Sequence, residues 1–187
     1  MEKTFTNLPV LETERIILRP LKESDFNSVF EYASDPEIAS FTGWKAHKSI
    51  EESKALVRFI LKRYSENKPS SWAVELKSEK KMIGMAGFIS TFNANKRGEV
   101  AYALNKNYWK KGYATEALAA SIKFGFEVLK LNRIEACCDA ENAASARVLE
   151  KCGMKFEGVL RQYVLTESGF RDMKSYAVLA QDAKVQS

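Results

Sequence analysis

The spacing of apolar positions changes along this chain, and each change marks an element. Glu14–Leu21 holds a short apolar run that predicts a strand; Pro20 puts a strand end or a sheet edge there, since proline has no N–H for the ladder. From Phe26 the period turns helical: Phe26, Val29, Phe30 and Ala33 share a face, Ser24 or Asp25 can cap it, and Asp35-Pro36 breaks it. Residues 39–48 follow neither period and read as a loop carrying Phe41, Trp44 and His47, as core cover or as the lining of an acceptor pocket. Ser49 with Glu52 predicts a capping box for a helix to about Asn67, with Ala55, Leu56, Phe59, Ile60 and Tyr64 as its stripe and Pro69 as its close. Trp72–Leu76, Met82–Ile89 and Gly98–Leu104 then read as three strands joined by polar turns, an antiparallel meander.

The stretch Asn107–Ala117 opens the next helix. Ala114, Ala117, Leu118, Ile122, Gly125, Phe126 and Leu129 give that helix a wide apolar face, suited to lying flat on a sheet. Arg133–Cys138 reads as a strand ending in Asp139, followed by a helix capped by Asn142 and stopped at Cys152-Gly153. Strands at about Lys155–Leu165 and Arg171–Leu179 flank a turn at Ser168-Gly169, and Gln181–Ser187 is a polar, fraying tail. The order is strand, two helices, three strands, helix, strand, helix, two strands. It predicts an α+β (mixed α/β) domain with a largely antiparallel sheet and helices on its faces. At 187 residues the expectation is one domain spanning 1–187, with its core at about 11–180.

Composition narrows the function classes. No apolar run is long enough to span a bilayer, and MEKTFTNLPVLETER lacks the apolar segment of a signal peptide. Cys137, Cys138 and Cys152 are odd in number and two are adjacent, which argues against a disulfide framework and for a reducing cytoplasm. With His47 as the sole histidine, neither a Cys/His metal site nor a histidine triad can be assembled. The net charge of +5 is mild, yet Lys96, Arg97, Lys106, Lys110 and Lys111 crowd one region against Glu99. That cluster suits a solvated face or a small polyanion; a basic stripe with interleaved aromatics, as nucleic acid would need, is missing.

The polyanion reading has a physical basis at Tyr108-Trp109-Lys110-Lys111-Gly112-Tyr113-Ala114-Thr115-Glu116-Ala117. A helix start leaves backbone N–H groups without partners and carries partial positive charge. Gly112 and Ala114 let that backbone approach a ligand, and two lysines add charge, which together suit a phosphate, although many basic turns precede helices and bind nothing. A second segment, Asn142-Ala143-Ala144-Ser145-Ala146-Arg147-Val148-Leu149-Glu150-Lys151-Cys152-Gly153-Met154, follows about 30 residues later, beyond a helix and a strand. With these two segments in this element order, the chain from about Leu11 to Ala180 resembles the GCN5-related N-acetyltransferases (GNAT). Its local text is similar to their ribosomal-protein N-acetyltransferase (RimJ/RimL-like) branch.

The resemblance implies a splayed, largely antiparallel seven-stranded sheet with about four helices, and acetyl-CoA as the cofactor. The family's pyrophosphate loop falls on Trp109 through Ala114, with Trp109 in place of the usual Gln or Arg. Backbone N–H groups of Lys111, Gly112, Ala114 and Thr115 would hold the pyrophosphate, with Lys110 and Tyr113 beside them. Leu104 would offer backbone groups to the pantetheine arm, and Asn142 would touch the cofactor or an ordered water. Many relatives protonate the departing thiolate with a tyrosine at the position held here by Leu149; Ser145 is then the candidate acid.

Glu99, on the strand before the loop, is the candidate base, acting through water on a neutral amine. An α-amine with a pKa of about 8 suits such a base better than a lysine at about 10.4. Glu116 should point away from the pyrophosphate it would otherwise repel. Tyr102 and Tyr113 read as packing residues before acids, Cys137 and Cys138 as buried strand residues, and Arg171 with Asp172 as a surface pair before shapers of the acceptor pocket. The expected acceptor is a primary amine, first the N-terminus of a ribosomal or other protein, then a polyamine or aminoglycoside. The expected assembly is a monomer or homodimer, with neither nucleic acid nor membrane as partner. A non-catalytic acyl-CoA-binding protein is the rival from another class.

Overall fold

The computed structural model describes residues 4–166 and 169–183; Ser168 of the expected turn and residues 184–187 of the tail lie outside them. The elements are β1 (Leu11–Glu12), β2 (Ile16–Arg19), α1 (Phe26–Ala33), α2 (Pro36–Ser40), α3 (Ile50–Ser65), β3 (Ser71–Leu76), β4 (Lys81–Phe92) and β5 (Arg97–Leu104). They continue with α4 (Tyr113–Glu127), β6 (Arg133–Asp139), α5 (Ala143–Lys151), β7 (Lys155–Thr166), β8 (Gly169–Leu179) and α6 (Ala180–Ala183). One sheet runs β1-β2-β3-β4-β5-β6-β8-β7, and every neighbouring pair is antiparallel except β5 with β6.

The α+β class and the element order match the sequence pattern; the counts grow. The expected seven strands become eight because two residues, Leu11 and Glu12, pair with Leu18 and Ile17. Among the described residues the expected four helices become six through the short α2 and α6, and α6 occupies part of the expected polar tail. Pro36 both ends α1 and starts α2, since a first helical position needs no N–H, and the Asp35 carboxylate accepts from Glu37 N.

Two caps differ from expectation. Asp25 does not cap α1 with its side chain; the carboxylate accepts from Lys22 N and forks with the Arg19 guanidinium at 2.8 Å on both oxygens. Ser49 is the N-cap of α3 without a side-chain bond, and Glu52 accepts from Lys48 N, so the box is only half made, one residue early.

Helices cover both faces of the sheet, α1 and α3 on one and α4 and α5 on the other. Strands buried on both faces read as unbroken apolar runs: Trp72, Ala73 and Val74 in β3 are each fully buried. Trp72 meets Phe124 of α4 edge-on at 5.0 Å between ring centroids. A side chain at Gly125 would lie 2.6 Å from Ile134 Cδ1 and 2.7 Å from Phe88 Cζ, so only glycine lets α4 lie this close to the strands.

The sheet opens in its middle. β5 and β6 pair in parallel over three positions, Arg97, Gly98 and Glu99 with Arg133, Ile134 and Glu135. Beyond them β5 stays on β4 as far as Leu104, and β6 stays on β8 as far as Asp139. Val100–Leu104 and Ala136–Asp139 therefore diverge, and a gap separates them.

Candidate active site around the sheet opening

At the end of β5 the chain turns into α4 through a braced loop. Asn105 is buried and accepts from Asn107 N, while the Trp109 indole N–H donates to the Leu104 carbonyl at 2.8 Å. Lys110 (φ 60°) and Gly112 (φ 86°) take left-handed conformations, which turns successive N–H groups toward one side. The first helical bond of α4 runs from Glu116 N to Gly112 O. The N–H groups of Tyr113, Ala114 and Thr115 thus have no carbonyl inside the helix. Lys110 and Lys111 are exposed at this helix start.

Glu116 turns away from that start, as expected. Its carboxylate accepts from Thr13 Oγ1 at 2.6 Å and Arg15 N at 2.8 Å, and pairs with the Arg15 guanidinium at 2.7 Å. Arg15 also donates to the Lys111 carbonyl at 2.9 Å and lies 4.7 Å from the centroid of the Tyr113 ring. Burial pushes the Glu116 carboxyl up, but the bonds from Thr13 and Arg15 and the arginine's charge outweigh it and bring the pKa below the ordinary value. The loop is thereby fastened from behind. Tyr113 is the packing residue expected.

Asn105 N bonds to Ile83 O, and the alternation of an antiparallel ladder turns the Leu104 backbone groups from β4 toward the gap. Its carbonyl accepts from Trp109 Nε1 and keeps a second lone pair.

Across the gap, Asn142 Oδ1 accepts from Ser145 N at 2.9 Å and caps α5. Leu149 is buried, with no hydroxyl to donate. Ser145 Oγ instead lies 2.8 Å from the Tyr102 hydroxyl. Tyr102 is thus more than a packing residue, and burial holds its hydroxyl well above the ordinary phenol range. Cys138 and Cys152 are close enough to act on that hydroxyl. Burial pushes Cys152 up to about 12 and raises Cys137 and Cys138 as well, so all three stay thiols at neutral pH.

Glu99 occupies the last paired position before the gap, beside Glu135. Burial first, and then the Glu135 charge, raise its carboxyl above the ordinary value, against smaller opposing effects of Ser90 and Arg97. Glu135 is held by Arg97 at 3.1 Å and Arg133 at 2.6 Å, whereas among the described residues Glu99 forms no ion pair. Strand alternation sets Gly98, Val100 and Tyr102 on the face under α4 and α5, and Glu99 on the other.

On the rim, Phe41 and Thr42 face Asp139, Arg171 and Met173 around a cleft of about 60 Å³. Arg171 does not pair with Asp172: it reaches Asp139 at 3.3 Å and Glu141 at 3.1 Å, while Asp172 accepts from Gln162 N. Trp44 and His47 turn inward, Trp44 edge-on to Tyr32 and His47 Nδ1 at 2.8 Å from Ser53 Oγ.

A half-split sheet with a bare helix start on one side of the opening is the frame of an acyl-CoA-dependent acyltransferase. The chain belongs to the GNAT family: the sequence profile of the Acetyltransferase (GNAT) domain matches residues 15–155. It is therefore an N-acetyltransferase that uses acetyl-CoA. It is 32% identical over 171 residues to the uncharacterized N-acetyltransferase YoaA of Bacillus subtilis, covering 91% of this chain and 97% of that one. It resembles the crystal structure of a GNAT-family acetyltransferase from Bacillus anthracis with a TM-score of 0.82 and 29% identity, over 92% of this chain and 99% of the other. The ribosomal-protein-S5-alanine acetyltransferase of Vibrio fischeri superposes with a TM-score of 0.81 at 25% identity, over 93% and 98% of the two chains. No helix among the described residues is long and apolar enough to cross a membrane.

Proposed function

We propose that this cytoplasmic enzyme, of the RimJ/RimL-like branch, transfers the acetyl group of acetyl-CoA directly to the N-terminal α-amine of a ribosomal or other protein. The observation that carries the reading is the placement of Glu99 and Ser145 beside one gap, on opposite faces of the sheet. Acetyl-CoA is held at its pyrophosphate by the N–H groups of Lys111, Gly112, Tyr113, Ala114 and Thr115, with Lys110 and Lys111 adding charge. Leu104 N–H takes a pantetheine carbonyl, and Asn142 orders the start of α5 beside the cofactor. The reacting carbonyl then lies in the gap.

The amine arrives from the Glu99 side. Glu99, as the carboxylate, takes its proton through a water, and an α-amine needs little help because its pKa is about 8. The new C–N bond forms as the C–S bond breaks, and the electron pair left on sulfur is met by the Ser145 hydroxyl. No covalent enzyme intermediate is required, which agrees with thiols that burial keeps protonated.

The similarity to a ribosomal-protein acetyltransferase supports the choice of a protein N-terminus. The test is release of thiol from acetyl-CoA with N-terminal peptides, polyamines and aminoglycosides as acceptors, on a protein sized as monomer or homodimer. Turnover with peptides is expected. Turnover confined to small amines would replace the acceptor, and tight acetyl-CoA binding without turnover on any amine would leave a non-catalytic acyl-CoA-binding protein.

A further inference from the structure

Leu149 removes the tyrosine that would have met the leaving group from α5, yet a buried phenol still reaches this place from the opposite wall. Tyr102 projects from the part of β5 that has parted from β6 while still paired with β4, and its hydroxyl lies 2.8 Å from Ser145 Oγ. We infer that Tyr102 is a positioning residue for acetyl transfer, its hydroxyl donating to Ser145 Oγ so that the serine's own proton is aimed at the coenzyme A sulfur.

The direction of the bond follows from chemistry. A phenol is a stronger donor and a weaker acceptor than an aliphatic alcohol, so the pair settles with tyrosine donating and serine accepting. Burial keeps Tyr102 protonated, so the arrangement persists across the working pH range. Ser145 N is already committed to Asn142 Oδ1, which fixes the serine backbone; Tyr102 fixes its hydroxyl rotor. Two of the three hydrogen-bonding directions of Ser145 Oγ concern its lone pairs and one its proton. With tyrosine on a lone pair, the proton is left for an acceptor, the weak Cys138 thiol at rest and the stronger coenzyme A thiolate during transfer.

A coenzyme A thiol resembles a free cysteine, with a pKa of about 8.5. Its anion therefore needs only a directed hydrogen bond during departure, and neither Ser145 nor Tyr102 has to give up a proton. The sulfur takes one afterwards from water, balancing the proton that leaves the amine. The groups around Tyr102 are Cys138 on β6 and Cys152 on α5, both uncharged at neutral pH, and Lys174 on β8, opposite Cys138, is a fixed positive charge. Of these, Cys138 is itself a side-chain hydrogen-bond partner of Ser145, and a neutral thiol is a far weaker acceptor than a departing thiolate.

The inference rests on the proposed acetyl transfer, but its first test needs no acceptor. The thiolate absorbance of bound coenzyme A is titrated against the complex with desulfo-coenzyme A, in the wild type, Tyr102→Phe, Ser145→Ala and the double variant. The wild type should lower the bound thiol's pKa by about one unit from the free value of about 8.5. Either single change should restore it, and the double variant should add nothing. In turnover, Tyr102→Phe should lower kcat about tenfold with acetyl-CoA affinity unchanged within about twofold, and should cost nothing further in the Ser145→Ala background.

An undepressed thiol in the wild type, or a thiol still depressed in Tyr102→Phe with its fold intact by circular dichroism, overturns the role. Turnover on no amine, beside a depressed thiol, would overturn the acceptor reading and leave the Tyr102–Ser145 arrangement standing.

Discussion

Glu99 and Tyr102 lie on the same strand, three residues apart, and face opposite sides of the sheet. Such a pair can serve one reaction only where the sheet has an opening, and β5 leaves β6 directly after Glu99. In the proposed transfer the amine and the departing sulfur would then fall on different faces. Replacing Ser145 by alanine removes the group on the sulfur side while leaving the cofactor's handle in place. The expected result is a fall in kcat of about 10- to 100-fold, the worth of one hydrogen bond to a charged group, with acetyl-CoA affinity held within about twofold. Steady-state kinetics with calorimetric binding of acetyl-CoA separates the two, and an unchanged kcat would remove the serine from the chemistry.

The cofactor's handle is tested at Gly112. Its φ of 86° is a conformation that side-chain-bearing residues adopt at a cost of about 1–2 kcal/mol, and an added Cβ would lie 3.1 Å from Arg15 Nη2. Gly112→Ala should therefore turn the N–H groups at the start of α4 out of line. We expect KM for acetyl-CoA to rise at least about tenfold while KM for the amine stays within about twofold. Equal increases in both would mean that the loop does not hold the cofactor separately.

Much of this could be read from the chain, and the rest fails for physical reasons. Asn142 before Ser145 is a local signal, and the cap appears where expected. Glu116 could be turned away in advance because a carboxylate at a phosphate site repels its ligand; its partners Thr13 and Arg15 lie about 100 residues earlier and left no local trace. Tyr102 read as packing because Val100 and Leu104, two positions to either side, are core residues. What sets it apart is a bond to a residue 43 positions later, which no periodicity encodes. β1 escaped notice because two residues are too few to show alternation, and α2 because Pro36 breaks one helix while starting another.

Glu116 also carries a stability prediction. Its pKa is lowered in the folded protein, so its contribution is complete above the unfolded value and is lost as pH falls through the folded one, below 4.5. Glu116→Gln keeps the shape and discards the charge that Thr13 Oγ1, Arg15 N and the guanidinium converge on. Arg15 is partly exposed, so screening reduces the loss to about 1–2 kcal/mol, or roughly 2–8 °C in Tm at neutral pH. Once the pH has fallen through the folded pKa, below 4.5, the wild type and the variant should converge. A gap in Tm that persists in acid would show that shape, not charge, matters at this position.

The proton acceptor is tested through its own titration. Burial and the neighbouring Glu135 raise the Glu99 carboxyl above 4.5, so the folded protein holds this proton more tightly than the unfolded chain does. By linkage, the stability this provides is complete below the unfolded pKa and is lost as pH rises through the folded one, above which the ionised carboxylate is a burden. Glu99→Gln should then leave Tm unchanged or raise it, while lowering kcat/KM about 100-fold or more if Glu99 takes the amine's proton. The pH profile supplies the decisive readout. In the wild type, kcat/KM should fall on the acid side through a pKa above the usual carboxylate range, and in the variant that limb should vanish. A glutamine variant that keeps both the limb and the rate would strike Glu99 from the mechanism and leave the proton to bulk water.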